Sequence, residues 1–353
     1  MEIVTRWLND RAAAGRTARW SCLLVAVLGV CQLAASAGGG GTGALPKEGK
    51  WDLAVAMPEP RQEMGVGALG NTIYLIGGYG ADNIPSTLVQ VYDTEGKKWR
   101  QAAAIPEGLQ HLGVAAVDGK VYVVGGFYGT FGKRVATDSV WQYDPATDRW
   151  ERRAALPTKR GALAVVVADG LIYAMGGERS SAPGAPQPYE PVADFAVYDS
   201  KANKWEVLPP MRYRRDHLVA GAIGGRVYAV AGRDRPNYML QNLEEYNPAT
   251  RTWTERAPMP TGRSGGAAGV VNNRLYVFGG EGNPENPSMG TFNQVEAYDP
   301  AHDAWTQLAP MPLPRHALSA AVVGSRIYLP GGSIVQGGRA PGVTAIVDTF
   351  EPN

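Results

Sequence analysis

Cysteine is almost missing from this chain. Only Cys22 and Cys31 occur in 353 residues, and both precede the first recurring segment. A body folded from the remainder therefore has neither a disulfide nor a thiolate metal site. An excess of charge of one sign is missing too, because 34 Lys and Arg stand against 33 Asp and Glu, a formal net charge of +1. That balance argues against a nucleic-acid partner and gives no general attraction to a membrane surface. No apolar run reaches the roughly 18 residues that a spanning helix needs. Helical periodicity is absent, as are a phosphate loop, a Gly-x-Ser-x-Gly elbow and a His-Glu-x-x-His pair. Turn formers are what the chain has in quantity. Its 45 Gly and 26 Pro make up about a fifth of all residues, as suits many short strands joined by turns.

The tryptophans give the period. Six of the nine stand at 51, 99, 150, 205, 253 and 305, and 26 residues after each comes Gly-Gly or its equivalent, at 77, 125, 176, 231, 279 and 331. In five copies a Tyr precedes the next Trp by seven residues: Tyr92, Tyr143, Tyr198, Tyr246 and Tyr298. Fixed spacings repeated this often define a repeat array.

Each copy reads as four strands. A small, apolar first strand, such as Gly113 to Val117, leads into a two-residue turn such as Asp118-Gly119, Asp169-Gly170 or Asn272-Asn273. Such pairs tolerate the positive φ of a tight hairpin, so the first two strands pair antiparallel. The second strand, such as Ile73 to Ile76, ends in Gly-Gly; the third carries the Tyr and the fourth the Trp. Four-stranded units of this length must stack to bury their faces, and radial stacking makes a β-propeller.

The Gly-Gly and Tyr-x6-Trp residues resemble the kelch family over residues 51 to 353. The chain departs from that pattern at Ala231-Gly232 and at Phe350-Glu351-Pro352, both conservative in size. The resemblance implies an all-β, six-bladed kelch propeller with four-stranded antiparallel blades and the first strand of each copy innermost. The phase of the repeat predicts how the ring closes. The chain enters on a lone fourth strand at Trp51 and leaves after a third strand without its Trp, so the N-terminal strand completes the last blade. The expected organisation is a signal peptide over 1–37, a Gly-rich linker over 38–49 and the propeller over 50–353.

The leader is read from Arg6, Arg11, Arg16 and Arg19, the apolar Leu23 to Leu33, and the small-x-small Ala35-Ser36-Ala37. It predicts a periplasmic or extracellular protein without a membrane span. Lipidation at Cys31, giving a membrane-anchored lipoprotein, is the alternative, with Val30 large for the residue before it.

All differences in repeat length fall between the second and third strands, where the Gly-to-Tyr counts are 15, 18, 22, 15, 19 and 19. Loop variation on a constant scaffold marks the face free to specialise. On the same face, ten residues after the Trp, stand Arg61, Arg160, Arg215, Arg263 and Arg315, with Leu109 breaking the series. Glu63, His111 and His217 stand twelve after it. Forked guanidinium groups converging on the channel mouth would suit an anionic ligand, and the resemblance agrees, since kelch propellers that bind acidic peptides use arginines at this place. The bland alternative is that they brace neighbouring loops. Tyr79, Phe127, Tyr128, Glu178, Arg233, Asp234 and Glu281 add to the rim.

The expectation is a binding scaffold for an anionic protein, peptide or glycan, with Arg61, Arg160, Arg215, Arg263, Arg315, His111, His217, Glu63 and Arg233 as ligand-binding residues. No catalytic residue, metal or cofactor is assigned. Glu63, His111 and His217 form a conceivable metal triad, but they have no further acidic residue or histidine at their repeat position. The alternative is an acidic-sugar enzyme resembling the bacterial six-bladed propellers that interconvert sialic acid anomers, with the arginines on the carboxylate. The copper chemistry of kelch oxidases needs a Tyr–Cys cross-link, which this chain cannot make.

Overall fold

The computed structural model describes residues 48–130, 133–180, 188–234, 239–337 and 342–353. The leader and the first ten residues of the linker, with the residues on which the lipid-anchor reading depends, lie outside them. The described chain forms six four-stranded antiparallel sheets, each the meander expected of one repeat. Among the described residues no helix is long and apolar enough to cross a membrane.

The seven-residue spacing has a direct cause. A tight turn between the third and fourth strands sets Tyr92 opposite Trp99 and Tyr143 opposite Trp150, and the pairing of the two chain ends sets Phe350 opposite Trp51 in the same register. All six such pairs pack at a tilt with ring centroids 4.7 to 5.3 Å apart. Each indole Nε1–H then donates to a backbone carbonyl of the preceding repeat, at 2.8 to 3.1 Å. The acceptor lies four residues after the previous Trp every time, as in Trp99 to Val55 and Trp205 to Ala154. One side chain per repeat thus packs its own blade and fastens it to its neighbour.

The Gly-Gly pair makes the second fastening. Both residues adopt positive φ, 64° at Gly77 and 74° at Gly78. The second N–H donates to the carbonyl of the position ten residues after the Trp in the next blade, as in Gly126 to Arg160 and Gly332 to Arg61. A Cβ on Gly125 would lie 2.5 Å from the Arg160 carbonyl oxygen. The fourth repeat accepts that crowding, with Ala231 at φ 61°.

The ring closes as the repeat phase predicts. Lys50–Leu53 pairs with Val347–Glu351 in the sheet that also holds Arg326–Pro330 and Ala321–Val323. Inner strands approach so closely that small residues are required. A Cβ on Gly65 would sit 2.3 Å from Val114, and one on Gly113 would sit 2.1 Å from Val165. Two loops of the variable face differ from the four-strand expectation. They fold into small sheets of their own, Phe127–Tyr128 with Val135–Ala136 and Glu178–Ser180 with Tyr189–Pro191.

Candidate functional site: the channel mouth

Position twelve after each Trp is left-handed in every repeat: Glu63, His111, Ala162, His217, Gly265 and Ala317 have φ of 50° to 63°. That turn aims each N–H at the neighbouring blade. Five bonds result, Glu63 to Ala317, His111 to Glu63, Ala162 to His111, His217 to Ala162 and Gly265 to His217, at 2.8 to 3.2 Å. They form a backbone belt around the channel mouth. Its side chains line two cavities, a channel of about 150 Å³ between the inner strands and a vestibule of about 380 Å³ on the loop side.

A second ring lies above the belt. The residue eleven after each Trp bridges the residue 28 after it, as in Gln110 with Phe127, Asp216 with Arg233 and His316 with Ser333. These bridges bring Tyr79, Arg233 and Glu281 into the vestibule, where Arg134 and His316 join them. Arg134 lies over the rings of Phe127 and Tyr189, 4.6 and 4.3 Å from their centroids, and pairs with the buried Glu178. Arg233 donates to Asp216 and Glu281, both at 2.7 Å. Burial would depress the Arg233 guanidinium, but these two carboxylates hold it charged. Burial would likewise raise Glu281, yet His316 and Arg233 keep its carboxyl below the usual range.

At the centre Glu63, His111 and His217 converge, with ligand atoms all within 4.8 Å of one another. His111 Nε2 is 3.3 Å from Glu63 Oε1, and the two imidazoles meet edge to face at 4.9 Å. His217 Nδ1 is hydrogen-bonded to the buried Asp216. Burial, reinforced by Arg233 and His111, drives the His217 pKa well below that of a free imidazole. Burial by itself would raise the Glu63 carboxyl; the facing His111, with His217 and His316, instead holds it far below the usual range.

The five arginines of the repeat are elsewhere. Arg61, Arg160, Arg215, Arg263 and Arg315 are at most 2% exposed. Four of them donate to the carbonyl sixteen residues on, the first of the Gly-Gly pair or Ala231, at 2.6 to 3.0 Å, and Arg160 donates to Ala174. Each also reaches one acceptor on or just before the third strand: Gln90 at 2.7 Å, Asp194 at 3.5 Å, and Glu244, Glu296 and Asp348. Burial lowers all five, Arg61 and Arg160 to about 10. In the second repeat Leu109, fully buried, fills the place. The expected anion-binding ring is thus corrected to a set of interior braces. The physical reason is reach: the left-handed turn two residues later points the belt side chains inward and leaves the arginines lying along the strand ends. The acidic-sugar reading loses its carboxylate clamp with them.

These spacings, fastenings and six closed blades agree with the sequence comparisons. The KLHDC2/KLHL20/DRC7 Kelch-repeats domain matches residues 47–214 and 193–332. The chain is a kelch-repeat protein. Among kelch relatives, Kelch-like protein terF of Aspergillus terreus is 32% identical over 330 residues, 88% of this chain and 70% of that protein. Kelch-like protein 25 of Xenopus tropicalis is 27% identical over 156 residues, 43% of this chain and 25% of that protein. The solved structure of YjhT shares the fold, with a TM-score of 0.69 at 19% identity, covering 84% of this chain and 96% of that one.

Sequence reasoning placed Glu63, His111, His217 and Arg233 at this kelch mouth, and the structure brings them together. It missed Arg134, Asp216 and His316. Asp216 and His316 share one repeat position, eleven after the Trp, so the register could have found them. Arg134 sits in a variable loop, where no periodic signal exists.

Proposed function

We propose that this kelch propeller is an exported scaffold that binds a protein or peptide across its loop face. One observation carries the reading. Of the seven large apolar side chains exposed among the described residues, Ile84, Tyr128, Val135 and Met239 stand on the variable loops of this one face. Apolar tips around a recessed polar vestibule are the arrangement of an interface with a buried centre and a set orientation. The relatives are named kelch-like proteins, which is consistent with binding and adds no ligand. The anionic ligand loses its support with the arginine series. Glu63 and Glu281 line the vestibule beside Arg134 and Arg233, and the buried Glu178 and Asp216 pair with those arginines, a balance that disfavours an anion.

The test is a peptide-display selection on the mature protein, followed by Tyr128→Ala with Met239→Ala. Selected peptides should bind the double variant at least about tenfold more weakly, as expected for exposed anchors at an interface. Val207→Ser, on an outer strand remote from the loops, should bind as the native protein does. Equal binding by the loop variant would refute the docking face, and enrichment on a glycan array in place of peptides would move the reading to carbohydrate.

Export has its own check. Expressed in a Gram-negative host, the mature chain should begin at or near Gly38. A mass corresponding to lipid-modified Cys31 would replace free secretion with membrane anchoring.

A further inference from the structure

Belt position twelve borders the channel in every blade, and three of its six residues are small: Ala162, Gly265 and Ala317. The other three are two imidazoles and a carboxylate, from the first, second and fourth repeats. Two histidines and one carboxylate are a common donor set for first-row transition metals, with positions left open for water or a ligand. Here the three groups border both the channel and the vestibule.

We propose that Glu63, His111 and His217 hold a divalent transition-metal ion at the channel mouth. Four observations support this beyond the presence of the three residues. First, their ligand atoms already lie within 4.8 Å of one another. The αL backbone at each position is fixed by the belt bonds, which makes the approach preorganised.

Second, His217 is oriented as metal-binding histidines are. Its Nδ1 is engaged by the Asp216 carboxylate, which selects one tautomer and leaves Nε2 as the ligand atom, 3.5 Å from an Arg233 Nη2 that an ion would displace. Asp216 is itself fixed by Arg233, so the orienting carboxylate cannot swing away.

Third, His111 has unused capacity. Its side chain is only 3% exposed, and its Nδ1 has no hydrogen-bond partner among the described residues. Tyr79 stacks on the ring at 6.4 Å and Phe127 meets its edge at 5.7 Å, while Nε2 faces Glu63 at 3.3 Å and Arg134 at 3.4 Å, so the imidazole is held in place.

Fourth, the charge balance fits a dication. Four carboxylates, Glu63 and Glu281 lining the vestibule and Glu178 and Asp216 buried beside it, stand against the two guanidinium groups of Arg134 and Arg233. The carboxylates thus outnumber the guanidinium groups by two. Arg134 is paired with Glu178 and Arg233 with Asp216 and Glu281, and their contacts to His111 Nε2 at 3.4 Å and His217 Nε2 at 3.5 Å are the ones an ion would replace.

This inference goes beyond the docking face and does not depend on it. The experiment uses the full mature chain, stripped with a chelator, dialysed and titrated with Co²⁺ and with Zn²⁺. Co²⁺ should bind at one ion per chain with a visible d–d spectrum, and Zn²⁺ should displace it. His111→Ala with His217→Ala should weaken binding by about 100-fold or more, since two of three ligands are lost. Folding should survive, because Ala162 and Ala317 occupy the same left-handed position in sister blades; circular-dichroism melts without metal verify this. Glu63→Gln, which keeps the shape, should also weaken Co²⁺ binding. Substituting the exposed His302, which lies on the opposite side of a blade turn beside Asp299, should change nothing. Failure of the stripped native protein to bind either ion would overturn the site. So would stoichiometric binding that persists in the double histidine variant.

Discussion

Deleting residues 38 to 56 from the mature chain is expected to lower its melting temperature by at least about 10 °C or to leave it aggregated. The deletion removes Lys50–Leu53, the strand that completes the last sheet by pairing with Val347–Glu351. It also removes Trp51, whose ring packs 4.9 Å from Phe350 and 5.9 Å from Phe278 in the neighbouring blade. The indole N–H to Ala309 goes with it, and this is the fastening between the fifth and sixth blades. Losing a packed Trp alone costs about 3–5 kcal/mol, and the unpaired edge of Val347–Glu351 then invites pairing with other chains. Trp51→Ala in the intact chain should account for much of the loss, since it keeps the backbone pairing. Calorimetry and light scattering on the three proteins check this. A truncated monomer melting with the native protein would show that closure contributes nothing to stability.

Changing Arg215 and Arg263 together to Ala is expected to be more damaging still. Each guanidinium neutralises a carboxylate that is 1% exposed, Glu244 or Glu296, and satisfies carbonyls where the second strand ends. Removing one partner leaves a buried charge alone, which costs about 3–5 kcal/mol per pair. The two sites lie in successive blades with different partners, so the losses should add, and the double variant should fail to fold or melt far below the native protein. The chain itself suggests the repair. Its second repeat manages with a buried Leu109, and its first pairs Arg61 with the neutral Gln90. Arg263→Leu combined with Glu296→Gln should therefore recover a large part of what Arg263→Ala loses. Urea melts decide the matter. If Arg215→Ala/Arg263→Ala keeps the native stability, the arginines are not braces.

How much of this protein is legible in its sequence differs from feature to feature. The Tyr-x6-Trp spacing is a local rule, because a tight hairpin must place those two residues opposite one another wherever it occurs. Gly-Gly is legible for the same kind of reason, since only small residues accept positive φ beside a neighbour's carbonyl. Closure follows from the order of strands and needs no distances. The channel-mouth triad was half legible. Its residues share a repeat position, but the left-handed turn that points Glu63, His111 and His217 at one another is shown by no residue type, since Ala162 and Ala317 adopt it too.

The arginine series shows where sequence reading stops. Periodicity places Arg61, Arg160, Arg215, Arg263 and Arg315 at equivalent points of equivalent blades, but a repeat gives a position along the strand and not the direction of a long side chain. Whether such an arginine enters the channel or lies back along its own blade depends on which acceptors meet it first. Those acceptors, Gln90, Asp194, Glu244, Glu296 and Asp348, stand 29 to 34 residues further on and beyond a loop of variable length. Asp216 beside His217, and Arg134 over Phe127 and Tyr189, are meetings of the same kind. The sequence by itself determined the blade, the number of blades and the seam that closes them, because each rests on short-range geometry repeated six times. Only the tertiary structure decided which charges are scaffold and which face the axis, because a buried charge goes to whichever partner the packed ring brings within hydrogen-bonding reach.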